Sequence, residues 1–294
     1  MEIIPLAEKK KESILYEDGG MSLGRFDEDE SLYLVDSQKK VAYRLPDQYK
    51  DTPCDGGEYQ DGLIKVSLMG QLPLAYHRVF GELGGLWGWI NMRGEEVIKP
   101  QYAYVSDFKN GLAIVCRADS WYKDERGAYW CDHEKWGTID RGGEEVIPCQ
   151  YDELRFMNNI FHDADGGTQY FLAHAGGWEN GADYILSSSG EVVLKLDFDL
   201  ERDVTYPYHF YHQEFFVLET IDFSIEDEDV VEYEENGEQF CNIERIYIYD
   251  RKKQEWLAYY DNYKLRENGE KKQIIRLRDG AEQFMLEVPA EYLR

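Results

Sequence analysis

Asp163-Ala164-Asp165-Gly166 is a place in this sequence where residue types and spacing could do chemistry. Alternate aspartates ahead of a glycine open a calcium loop, where carboxylates and a sharp turn surround a hard cation. The third acidic ligand and the distal bidentate glutamate do not follow in register. Asp163 and Asp165 are therefore an incomplete calcium candidate, and no metal or cofactor is expected. Cys131-x-His133 has the spacing of one zinc-ligand pair but lacks the second pair that a four-ligand site needs. His209 and His212 stand three apart, which on a strand sends the rings to opposite faces. The six histidines (His77, His133, His162, His174, His209, His212) form no recognisable nucleophile arrangement, and there is no Gly-x-Ser-x-Gly elbow. The stretch Gly81 to Gly88 is glycine-rich without Gly-x-Gly or Lys-Ser/Thr, and it carries Glu82 where an anion would sit; it reads as a loop. Abundant carboxylates are not a glycosidase pair, because what matters there is a separation of roughly 5–9 Å in space. No enzymatic activity is expected.

The charge narrows the partners. The chain has 294 residues, with Lys plus Arg 32 and Asp plus Glu 59, for a formal net charge of −27. Such a surface repels phosphates, so neither nucleic acid nor an anionic membrane is an expected partner. The acidic runs Asp27-Glu28-Asp29-Glu30 and Glu226-Asp227-Glu228-Asp229 read as solvated loops. No apolar run approaches the ~18 residues of a membrane helix, and the charged start shows no signal-peptide pattern. Cys54, Cys116, Cys131, Cys149 and Cys241 are odd in number and scattered, which fits free thiols in a reducing cytosol. A cytoplasmic location is expected on that basis.

The elements come from an internal repeat. Trp87 to Tyr102 aligns without gaps on Trp136 to Tyr151, with 10 of 16 positions identical at an offset of 49. Fainter copies begin near Tyr33, Tyr184 and Ile246, giving turn-opening residues Asp36, Asn91, Asp140, Ser187 and Asp250. Each copy reads as a strand, a turn opened by Asn, Asp or Ser and closed by a glycine such as Gly94 or Gly143, then a returning strand. Pro100 and Pro148 predict a bend, with Tyr102 and Tyr151 packed under it. Trp87 and Trp136 are expected in the core, beside Gly88 and Gly137, which allow close approach. A third run, clearest at Phe108 to Val115, closes the unit. Three strands are too few to bury both faces, so neighbours must stack. Short helices are expected only over 8–16 and 280–286.

Trp87-Gly88, Lys135-Trp136-Gly137, the Ile-Asn/Asp-x-x-Gly turn, the Gln-Tyr bend and Gly111-Leu112-Ala113-Ile114-Val115 together resemble the bacterial WG repeat, also called the KWG repeat. The match is strong over 85–156 and degenerate elsewhere; near Tyr33 and Tyr184 no glycine follows. The resemblance implies a bacterial all-β tandem repeat without known catalysis that mediates interactions. The expected fold is a single array over 1–294 of about five antiparallel three- to four-stranded β-meander repeats. A degenerate repeat occupies 20–80, WG repeats 81–134 and 135–180, another degenerate repeat 181–235, and a repeat or cap 236–294. An open superhelical stack is expected from the unequal spacings, with a closed propeller-like ring as the alternative.

An insertion of about twenty residues lies between the two sharp repeats. With a turn at Asp124 to Gly127, Tyr122 would face Tyr129 and Trp121 would face Trp130, making an aromatic β-arm. These four residues are the candidate partner-binding site, for a protein partner or a carbohydrate, since aromatics are enriched at interface hot spots; the alternative is an arm folded onto its own repeat. The expected function is a non-catalytic scaffold for a protein or peptide. The alternatives are an acidic inhibitor or immunity-type protein steered onto a basic target and, last, a hydrolase.

Overall fold

A computed structural model of the chain describes residues 2–5, 21–25, 31–36, 38–52, 59–60, 62–68, 75–77, 81–83, 86–118, 120–123, 125, 129–159, 169–177, 181–196, 209–211, 215–221, 232–235, 238–241, 244–261, 263–268, 271–278 and 281–289. Among them the secondary structure is strand, apart from one turn of 3-10 helix at Asp47–Tyr49. The all-β tandem array of antiparallel meanders expected from the repeat is what the chain forms, and among the described residues no sheet closes into a barrel. The helix expected over 8–16 lies outside the described residues. The one expected over 280–286 is a strand instead: Ala281–Pro289 pairs antiparallel with Lys271–Arg278, Arg278 opposite Ala281. The intervening Asp279-Gly280 is the sequence of a two-residue hairpin turn, a stronger local signal than a short helical pattern.

The chain forms two compact units: Met1–Leu154 with Ala175–Gly177, and Arg155–His174 with Trp178–Arg294. In the first unit, Met21–Arg25, Leu32–Asp36 and Val41–Arg44 form a sheet whose outer edge is completed by Ile3–Pro5. A second sheet runs Tyr59–Gln60, Leu63–Leu68, Leu86–Asn91, Glu96–Tyr102. A third runs Tyr104–Val105, Leu112–Arg117, Lys135–Asp140, Glu145–Tyr151. In the second unit, Tyr170–Ala175, Ala182–Ser187 and Val192–Lys195 are consecutive strands of one sheet. His209–Tyr211, Phe215–Ile221, Glu244–Asp250 and Glu255–Asp261 belong to another.

Sheets and sequence repeats are out of phase. The run Leu112–Arg117, which closes the repeat begun by Trp87, pairs instead with the Trp136 strand, from Leu112 opposite Asp140 to Arg117 opposite Lys135. Leu63–Leu68 pairs in the same way with the Trp87 strand. Each sequence repeat is therefore shared between two sheets, and the cores lie between sheets. Leu23, Leu32, Leu34 and Leu45 from the first sheet region meet Ile64, Val66 and Ile90 of the second. Trp89, Ile98 and Tyr102 of the second meet Val105, Ala113, Val115 and Ile139 of the third. At roughly 1.5–3 kcal/mol for each fully buried aliphatic side chain, a sheet without its neighbour would lose most of its stabilisation, as the stacking argument requires.

All five turns use one device. Asn91 Oδ1 accepts from the N–H groups of Arg93 (2.8 Å) and Glu95 (3.1 Å), and Asp140 Oδ1 from those of Gly142 (2.8 Å) and Glu144 (3.0 Å). Asp36, Ser187 and Asp250 accept from Lys39, Glu191 and Lys253 respectively. The turns close on left-handed residues: Gly94 (φ 82°), Gly143 (φ 86°), Gly190 (φ 83°), Lys40 (φ 55°) and Gln254 (φ 58°). In two of the three degenerate copies, at Lys40 and Gln254, a side chain thus sits where glycine is favoured.

Backbone hydrogen bonds from Lys39 and Lys253, reinforced by their ammonium groups, hold the Asp36 and Asp250 carboxyls below the usual range. A depressed folded pKa stabilises the fold above the unfolded value, about 3.9, and that contribution is lost as pH falls through the folded value. Thermal midpoints measured below about pH 4 are expected to fall less steeply for Asp36→Asn and Asp250→Asn than for the parent chain.

Candidate interaction surface

The Trp-Gly pair has a structural task. In the second sheet Trp89 pairs with Ile98 and Trp87 with Tyr102, so Gly88 alone faces Lys99, Pro100 and Gln101. In the third, Thr138 pairs with Ile147 and Trp136 with Tyr151, so Gly137 faces Pro148, Cys149 and Gln150. The returning strand bulges onto the glycine. A Cβ on Gly88 would lie 2.4 Å from the Ile98 carbonyl oxygen, and one on Gly137 2.4 Å from that of Ile147. The bend expected at proline is therefore this bulge within a continuing strand. Trp136 (0%), Tyr102 (1%) and Tyr151 (8%) are buried; Trp87 is half-buried, with the Lys65 ammonium 5.7 Å from its ring.

Connections of unusual length join each Trp-Gly strand to the strand that precedes it. Arg117 and Lys135 pair directly, yet residues 118–134 intervene. They carry a hairpin of Ser120–Lys123 and Tyr129–Asp132. The arm is paired as expected, but its register differs by one: Tyr122 stands opposite Trp130 and Trp121 opposite Cys131. Lys123 pairs with Tyr129, so five residues separate the strands instead of the four assumed from sequence, and one extra residue moves every cross-strand pair.

Sequence reasoning missed that the arm recurs. Leu68 and Leu86 also pair directly, and the stretch between them, 69–85, equals 118–134 in length and carries the hairpin of Ala75–His77 and Gly81–Leu83. The glycine-rich stretch read as a loop thus supplies a hairpin strand. Ile221 pairs with Glu244 across a third hairpin, Glu232–Glu235 with Glu238–Cys241. In the first unit Tyr129–Asp132 runs beside Ala75–His77.

Both roots of the 118–134 arm are tied down. Arg117 bonds Glu145 at 2.8 Å and lies 5.1 Å over the Tyr102 ring. Lys135 bonds Asp152, whose other oxygen accepts the N–H groups of Gly176 and Gly177, each at 2.9 Å. Burial pushes the Asp152 carboxyl up, but Lys135 and the two glycine N–H groups outweigh it and hold it below its ordinary value. Burial, then the Glu145 charge, pushes the neighbouring Cys149 thiol up to about 11. At pH 8 the thiolate is then roughly a hundredfold scarcer than for an ordinary thiol. Cys149 is expected to react with iodoacetamide about that much more slowly in the folded chain than after unfolding, read by mass spectrometry of the labelled peptide.

In the second unit His174 Nδ1 lies 2.9 Å from Asp183 Oδ1, with both side chains buried on adjacent strands. The pairing joins residues of two strands, which no local motif announces. Asp163 and Asp165 lie outside the described residues. His133 is exposed in a left-handed conformation (φ 55°). Among the described residues, no group of three or more His, Cys, Asp or Glu is gathered as a metal site would be.

Residues 87–121 and 136–159 match the WG containing repeat. No curated protein sequence matches the chain. Among solved structures, apo AztD from Citrobacter koseri is similar at 11% identity and a TM-score of 0.34, covering 94% of this chain and 70% of that one. The dihydro-heme d1 dehydrogenase NirN in complex with DHE is similar at 12% identity and a TM-score of 0.30, covering 98% and 78%. The V. cholerae biofilm matrix protein Bap1 is similar at 8% identity and a TM-score of 0.26, covering 90% and 52%. At these scores no property of the three passes to this chain.

Proposed function

We propose that this WG-repeat scaffold is a non-catalytic, cytoplasmic binding protein whose partner is a protein or peptide. The observation that carries the reading is the division of labour within the first unit. The residues that define the repeat are enclosed in packing and turns, while two stretches of equal length leave the sheets as hairpins that lie side by side. Tandem modules commonly gain partners through such variable insertions. Trp121, Tyr122, Tyr129 and Trp130 on the 118–134 arm are the proposed contact residues.

A second reading is favoured by one observation, the net charge of −27: an acidic inhibitor or immunity-type protein that captures a basic target. The two separate by salt, because a charge-steered association weakens steeply as ionic strength rises. Affinity capture with the full chain, quantified by mass spectrometry at low and high salt, is expected to retain a specific partner in both. Loss of that partner at high salt favours the acidic-inhibitor reading, and turnover in a substrate panel would overturn the non-catalytic one.

A further inference from the structure

The large hydrophobic side chains exposed among the described residues are Ile3 (60%), Val97 (38%), Val192 (55%) and Val193 (41%). Three of them lie on returning strands, Glu96–Tyr102 and Val192–Lys195, each at the edge of its sheet among the described residues. The fourth lies on the strand that covers a returning strand. Ile3–Pro5 adds antiparallel to the outer edge of Val41–Arg44, with Ile3 opposite Tyr43, Ile4 opposite Ala42 and Pro5 opposite Val41. The Arg44 N–H donates to the Glu2 carbonyl at 2.9 Å, and Ile4 packs on Tyr33, Val35 and Ala42. Under that cover Ala42 is fully buried. Val192 and Val193 occupy the same kind of strand, following the turn opened by Ser187, and have no such cover among the described residues. An uncovered sheet edge with apolar side chains is a template for another strand.

Resting on the scaffold reading, we propose that the outer edge of Val192–Lys195 is a strand-addition site for a partner's extended segment. The segment carries consecutive β-branched apolar residues, the chemistry that Ile3–Pro5 brings to the equivalent edge. Main-chain hydrogen bonds would supply the affinity and the exposed valines the side-chain preference. Pro5 at the end of the covering strand shows the register tolerates a residue without an N–H there.

The probe is a labelled peptide of residues 1–6, Met-Glu-Ile-Ile-Pro-Leu, titrated with the full chain by fluorescence anisotropy. Saturable binding is expected. It should weaken at least tenfold in the Val192→Lys, Val193→Lys chain, because edge lysines discourage strand pairing. Both positions are exposed, so the melting temperature should not change, and a peptide with both isoleucines replaced by lysine should not bind. No saturable binding, or equal binding to both chains, overturns the proposal. So does a dimer of the parent chain that the double variant does not form in sedimentation, which would assign the edge to a second copy. A partner captured equally well by parent and double variant removes strand addition but leaves the scaffold reading standing. Capture of no partner, with the peptide still bound, removes the scaffold reading alone.

Discussion

Gly137→Ala should be among the most damaging single-methyl additions in this chain. The added Cβ would meet the Ile147 carbonyl oxygen at 2.4 Å, the Cys149 nitrogen at 2.8 Å and the Pro148 carbonyl carbon at 2.8 Å. All three are backbone atoms of the bulge, so no side-chain rotation relieves the overlap. Either the bulge straightens, shifting Tyr151 out of register with Trp136, or the two strands separate. The expected cost is on the order of 3–5 kcal/mol, the range reached when a close backbone approach is blocked. Gly142→Ala, five residues on, is the control: its nearest contact is the Asp140 side chain at 3.3 Å, and it should cost less than about 1 kcal/mol. Chemical denaturation followed by near-UV circular dichroism distinguishes the two. Similar losses for both would mean that the glycine beside tryptophan is not there to receive the bulge.

Trp136→Ala should cost about 3–5 kcal/mol, the range for emptying a large buried aromatic site. Its ring is fully buried and tilted against Tyr104, with centroids 5.3 Å apart. Trp87→Ala, at the identical place in the preceding repeat, should cost only about 1–2 kcal/mol, since that ring is half-buried at the margin of its cluster under Lys65. Sequence identity between the repeats gives no hint of this asymmetry. It arises from what each tryptophan meets beyond its own strand, and equal losses for the two variants would show that the repeats are equivalent in their packing.

What could be read from sequence was whatever the chain writes locally and repeats. Asp36, Asn91, Asp140, Ser187 and Asp250 were all recognisable as turn openers, because an Asx or Ser turn is encoded within a few residues. The burial of Tyr102 and Tyr151 followed from their fixed distance behind the turn. Pairing between distant segments was not legible. The run Leu112–Arg117 was assigned to the repeat that precedes it in sequence, but its ladder is with the repeat that follows, and nothing local distinguishes the two neighbours. The same blindness hid the 69–85 arm: it resembles an insertion only once Leu68 and Leu86 are known to pair. The one-residue error at Tyr122 and Trp130 has the smallest cause, a connection one residue longer than assumed. The meeting of His174 and Asp183 likewise depended on strand neighbours.

The arm is where the functional proposal is most exposed to test. The stretch 118–134 can be replaced by the sequence of 176–181, which joins the paired-sheet strands Tyr170–Ala175 and Ala182–Ser187 with a far shorter connection. Affinity capture from a lysate of the native cells, quantified against the parent chain with thermal unfolding measured in parallel, is the decisive comparison. The chain lacking the arm is expected to keep its cooperative unfolding and lose the specific partner. A partner retained in full by a folded, armless chain would contradict the account.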